Sequence, residues 1–97
     1  MSKGLLVVQS RPTSASELDA FLSWHHESHY PEMLKIDGFT SAKQLRALDG
    51  ESYLSIYEID IDVETAKANL AAAQATMTRP VGLNLAPPPT VQYFQFV

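Results

Sequence analysis

The chain has 97 residues, of which 45% are hydrophobic and none is cysteine, and its formal net charge is −4. This length holds one compact domain, 1–97, stabilised by burial rather than by disulfides or thiolate metal sites, and short enough that self-association is a reasonable way to complete its core. The basic residues Lys3, Arg11, Lys35, Lys43, Arg46, Lys67 and Arg79 are scattered, so nucleic acid is not an expected partner; with no leader pattern and no stretch long enough to span a bilayer, a cytoplasmic protein is expected, with no membrane partner.

Leu5-Leu6-Val7-Val8 reads as a first strand buried on both faces and closed by Arg11-Pro12-Thr13-Ser14. Ser14-Ala15-Ser16-Glu17 has the spacing of a capping box, and Leu18, Phe21, Leu22 and His25 form one buried helical stripe after it. Pro31 lacks an amide hydrogen and crowds the turn before it, so this helix is expected to stop or kink there, with His29 near its end. Gly38-Phe39 opens a second strand through about Leu48. The pair Asp49-Gly50 then folds the chain back into Tyr53–Ile59, the clearest hairpin of the sequence. Alternation puts Leu54 and Ile56 on one face of that strand and Tyr53, Ser55 and Tyr57 on the other. Val63, Ala66, Leu70, Ala73 and Met77 recur at helical spacing over 62–77, with Asp62 as cap. The segment 78–90, with Pro80, Gly82 and Pro87-Pro88-Pro89, reads as a loop of a length that suits a lid or a partner contact. Val91–Val97 reads as a terminal strand.

The order βαββαβ places both helices on one face of a four-stranded antiparallel sheet, because right-handed crossovers bring them to the same side. An α+β, ferredoxin-like fold is therefore expected. Its other sheet face, thought to carry Tyr, Phe and Val side chains, would be covered by a second copy, giving a homodimeric α+β barrel.

Trp24, then His29-Tyr30-Pro31-Glu32, then Gly38-Phe39 and an aromatic strand ending in Tyr57-Glu58 resemble the EthD-like branch of the dimeric α+β barrel superfamily, whose motif runs Trp…His-aliphatic-Pro-Glu…Gly-Phe. Two positions depart from it: Tyr30 stands in the aliphatic place, and Lys43-Gln44 stands where many relatives carry two arginines. Relatives of this type include cofactor-free cyclases, dehydratases and decarboxylases, lactone isomerases, small monooxygenases and members without an assigned activity.

The run Trp24–Met33 gathers all three histidines and the sole tryptophan, and it supports three readings. In one, His29 is a general acid or base beside Glu27 or Glu32, its protonated form favoured by a helix C-terminus, while Tyr30, Tyr53 and Tyr57 donate hydrogen bonds to substrate oxygen. In the second, His25 and His29 at i, i+4 share a metal with Glu32, although Pro31 interrupts that spacing. In the third, the histidines only pack and cap. We take His29 as the catalytic candidate and Trp24, Tyr30, Lys43, Tyr53 and Tyr57 as substrate contacts, with no metal and no cofactor. The acidic group Glu58, Asp60, Asp62 and Glu64 reads as capping, and isolated Gly38 offers no phosphate loop. The expected function is a small lyase or isomerase for dehydration, decarboxylation, cyclisation or lactone isomerisation of an apolar or aromatic metabolite, in a pocket between the first helix and the sheet. The alternatives are a cofactor-free monooxygenase and a non-catalytic dimeric binding or accessory protein.

Overall fold

The computed structural model describes residues 3–11, 15–77 and 89–97, of which 15–17 by backbone alone. The expected capping box at Ser14 and Glu17, and the loop reading for 78–88, lie outside the described residues. Strands β1 (Gly4–Ser10), β2 (Phe39–Arg46), β3 (Tyr53–Ile59) and β4 (Thr90–Gln95) form one antiparallel sheet in the order β2-β3-β1-β4. Helix α1 (Ala15–Trp24), a π turn (His25–His29) and α2 (Tyr30–Leu34) link β1 to β2, and α3 (Val63–Ala73) with a short 3₁₀ turn (Gln74–Thr76) lies between β3 and β4. This is the expected ferredoxin-like βαββαβ arrangement.

Local sequence explains most boundaries. At the start of α3 the Asp62 carboxylate accepts from the Thr65 amide at 3.4 Å, so that part of the acidic group caps as expected. Helix α3 buries Val63, Ala66 and Leu70, but it tightens into the 3₁₀ turn after Ala73 instead of running regularly to Met77. Gly50 carries the positive φ of 75° required by the β2–β3 turn. Gly38 has φ 103°, and a Cβ there would lie 2.6 Å from the Ile61 side chain, so glycine is required where α2 turns into β2.

The first helix departs most from expectation. It does not stop at Pro31, because His29 (φ −71°, ψ −48°) and Tyr30 (φ −64°, ψ −45°) are both helical and the chain continues into α2. The hydrogen-bond ladder widens just ahead of the proline, where the Tyr30 amide bonds the His25 carbonyl five residues back. The missing amide of Pro31 thus falls where the regular pattern is already shifted. Burial of Tyr30 and Met33 against the sheet gives the helix a reason to continue. His29 is consequently inside a helical stretch and not at a helix C-terminus.

The sheet faces also differ from the expectation. Tyr53, Ser55, Tyr57 and Ile59 turn toward the helices and are buried, and the core they join contains Leu6, Met33, Phe39, Val63, Ala66 and Leu70. The opposite face carries Leu5, Val7, Leu54 and Ile56 with the exposed Leu45 and Phe94, together with Lys43 and Glu58. Val7 and Phe94 lie on the uncovered face as expected, but aliphatic side chains and not tyrosines complete its apolar part.

Candidate functional site

The π turn determines which side chains meet. In a regular α-helix, residues five apart point about 140° away from each other. Here the widened turn brings Trp24 and His29 onto one side, where their rings stack with centroids 4.4 Å apart and planes at 18°. His25 joins them edge-on, 4.6 Å from Trp24 and 5.5 Å from His29. All three line a cavity of about 320 Å³ between the π turn, the sheet and the end of α3. Its walls are mainly apolar: Leu6 and Val8 from β1, Met33 from α2, Leu70 from α3, Met77 just after the 3₁₀ turn, and Val91 from β4. Tyr57, Ser10 and Gln74 supply further polar groups, and no Lys or Arg lines it among the described residues.

Burial sets the electrostatics. Desolvation pushes the His29 imidazole down to about 4, the neighbouring His25 adds to the effect, and Glu32 opposes it. His29 is therefore neutral at physiological pH, and its Nδ1 is buried without a partner. The Trp24 Nε1 donor is likewise buried and unpartnered. His25 is also pushed down by burial, against the raising effect of its hydrogen bond to the Phe21 carbonyl, in which Nδ1 lies 2.8 Å from the oxygen. Burial raises Tyr57 strongly, with Tyr30 adding to the rise and a hydrogen bond with Ser55 opposing it, so Tyr57 remains a neutral hydroxyl.

Of the residues selected from sequence, the structure brings Trp24, His29 and Tyr57 around the cavity. Tyr30 stands behind them, its hydroxyl 2.8 Å from Ser55 Oγ and its ring 5.7 Å from Tyr57. Tyr53 shares the face of Tyr57 but packs on Phe21 at 5.6 Å, outside the cavity. Lys43 projects from the opposite face of the sheet, 4.0 Å from the Glu58 carboxylate, so it does not serve this cavity. The helix-dipole argument for a protonated His29 is corrected as well, since the ring sits within a helix and burial governs it. His25, read as a packing or metal residue, is a full member of the wall. Its signal was present in the i, i+4 spacing with His29, but the π turn that aims both rings at one space has no sequence rule. Among the described residues, no group of three His, Cys, Asp or Glu side chains is placed to hold a metal.

No protein-family model and no curated protein matches the sequence. Solved structures do match over nearly the whole chain. A monooxygenase of Streptomyces coelicolor, in complex with nanaomycin D, aligns over 99% of this chain and 88% of its own, with 13% identity and a TM-score of 0.61. A dimeric ferredoxin-like protein from an uncultured marine organism aligns over 100% and 90%, with 13% identity and a TM-score of 0.62. An EthD-family protein of Bacillus halodurans aligns over 100% of both chains, with 18% identity and a TM-score of 0.52. At these identities the likeness is one of fold, and its inclusion of an EthD-family protein agrees with the resemblance carried by Trp24, His29-Tyr30-Pro31-Glu32 and Gly38-Phe39.

Proposed function

We propose that this chain is a cofactor-independent monooxygenase that acts on a small, neutral, electron-rich hydroxyaromatic compound, with His29 as proton acceptor. The observation that carries the reading is the neutral His29 imidazole that lines a largely apolar cavity, its Nδ1 buried without a partner, stacked on Trp24 and beside the Tyr57 ring at 6.1 Å. A ring with a value of about 4 is protonated in only roughly one molecule in a thousand at neutral pH, so it serves poorly as the acid that a dehydration needs. It serves as an acceptor. The lack of cationic lining among the described residues further disfavours a carboxylate substrate, and hence the decarboxylation reading. The fold likeness to a monooxygenase supports the same choice.

In this scheme His29 takes the phenolic proton while the Tyr57 hydroxyl donates a hydrogen bond to the oxygen left behind. Imidazolium and phenolate form as a pair, and their attraction in a low-dielectric site offsets the basicity that burial removes from His29. The phenolate then supplies electrons to dioxygen. One oxygen atom bonds to a ring carbon, the O–O bond breaks, and the second atom leaves as water with the two hydrogens lost by the ring system, so that a phenol and dioxygen become a quinone and water.

The site belongs, in this reading, to a homodimer closed through the uncovered sheet face. Leu5, Val7, Leu45, Leu54, Ile56 and Phe94 give that face an apolar centre, and the fold likeness to a dimeric protein supports the pairing. Sedimentation is expected to give twice the chain mass at micromolar concentration, and a monomer there contradicts the pairing. The activity is tested by oxygen uptake and quinone absorbance with 1-naphthol and related hydroxynaphthalenes. Turnover is expected, with a loss of about 100-fold or more in His29→Phe. No uptake with any of these compounds, or equal turnover by the variant, overturns the reading.

A further inference from the structure

The cavity holds a second imidazole whose state is fixed by the protein. His25 is 4% exposed and lines the cavity, and its Nδ1 is 2.8 Å from the Phe21 carbonyl, which can only accept. Nδ1 therefore carries the ring's single proton and donates it, leaving Nε2 as a bare acceptor. Among the described residues no group bonds Nε2. Nε2 is not among the buried, unpartnered atoms of the described residues, so on a ring that lines the cavity it is the nitrogen left open to a ligand. Phe21, Trp24 and Tyr30 already hold the ring on its other sides, at centroid distances of 4.3, 4.6 and 5.3 Å. The ring is thus locked in orientation as well as in protonation.

We infer that His25 is a second substrate-contacting residue, an acceptor of fixed tautomer that receives the hydrogen of a second hydroxyl on a neutral dihydroxyaromatic ligand, distinct from the hydroxyl that His29 deprotonates, and so orients the ligand ring across His29. The acceptor selects a donor, so a free hydroxyl is recognised and its methyl ether is not. The cavity of about 320 Å³, at the small end for organic ligands, suits one or two fused rings. The inference rests on the cavity being the substrate site proposed above, and it adds a specificity that His29 alone does not give.

The test is anaerobic binding of 1,5-dihydroxynaphthalene and 5-methoxy-1-naphthol, which differ only in the second hydroxyl, followed by the fluorescence of Trp24, the chain's sole tryptophan. Wild type is expected to prefer the diol by about threefold to tenfold, the worth of one hydrogen bond. His25→Phe, which keeps an aromatic ring against Phe21 and Trp24, is expected to lose that preference and to keep its affinity for the ether. A preference retained by His25→Phe overturns the role of His25 while leaving the cavity as a binding site. Failure of wild type to bind either compound overturns the cavity reading itself. Nitrogen-15 NMR of wild type gives an answer independent of the variant's folding: Nε2 of His25 should be unprotonated at pH 7 and should shift with the diol but not with the ether. An unmoved Nε2 resonance contradicts the inference.

Discussion

Tyr30 and His29 are neighbours in sequence, yet they belong to regions that treat buried polar atoms in opposite ways. Beneath α2 and α3, Tyr30 meets Ser55 at 2.8 Å amid the core of Phe39, Ile59, Val63 and Ala66. Beneath the π turn, His29 Nδ1 and Trp24 Nε1 are buried and unpaired beside a cavity, and on β2 Ser41 Oγ and Gln44 Nε2 are buried and unpaired as well. What sets the π turn apart is that its unpaired groups belong to rings that line a cavity, each at a cost in stability.

The comparison can be broken most forcefully from the core side. Phe39→Ala empties space beside Tyr57 and is expected to lower stability by about 4 kcal/mol in denaturant unfolding; a loss below about 1 kcal/mol would show that this region is not the packed core described. Acid gives the next largest effect. His29 titrates at about 4 in the folded chain and near 6.5 when unfolded, so between these values the unfolded state binds more protons. Stability is then full above pH 6.5 and falls as pH drops toward 4, by about 3 kcal/mol at most from His29, with His25 adding loss in the same direction. Unfolding curves at pH 7 and pH 4.5 measure it, and His29→Phe should flatten the slope.

Two conservative replacements sharpen the contrast because their signs differ. Tyr30→Phe removes one of the two hydroxyls that Ser55 meets, leaving Tyr57, and is expected to destabilise by about 1.5 kcal/mol. His29→Phe removes an unpaired nitrogen while keeping a ring against Trp24, and is expected to stabilise by about 1 kcal/mol as it abolishes turnover. Equal and opposite failure, with Tyr30→Phe neutral and His29→Phe damaging, would assign the two regions the other way round.

Much of the architecture was legible because it follows from local rules. Asp49-Gly50 marked the hairpin, Asp62 with Val63, Ala66 and Leu70 marked α3, and the element order dictated the sheet. Pro31 marked where the helix becomes irregular but not that it continues: the expected stop does not occur, and the regular helix gives way to a π turn that tertiary burial of Tyr30 and Met33 sustains. Alternation separated the two faces of β3 but could not say which one met the helices. At the site, Trp24 and His29 stood out as residue types concentrated in one run. Tyr53 and Tyr57 have the same parity, yet four residue steps along the strand set them roughly 13 Å apart, so one cavity reaches only the second. Lys43 was assigned by its place in a family pattern, and its face depends on the register β2 takes against β3, in which it sits opposite Ile56. His25 required the tautomer to be read from a hydrogen bond, which composition does not contain.

The central claim is that His29 is a neutral acceptor held in an apolar wall, and its own titration tests this most directly. Proton NMR of the His29 ring, followed from pH 8 downward with Trp24 fluorescence as a reporter on the stacked partner, is expected to show a midpoint at about 4 while the amide spectrum stays native above it. A midpoint at 6.5 or higher in the folded protein would contradict the account.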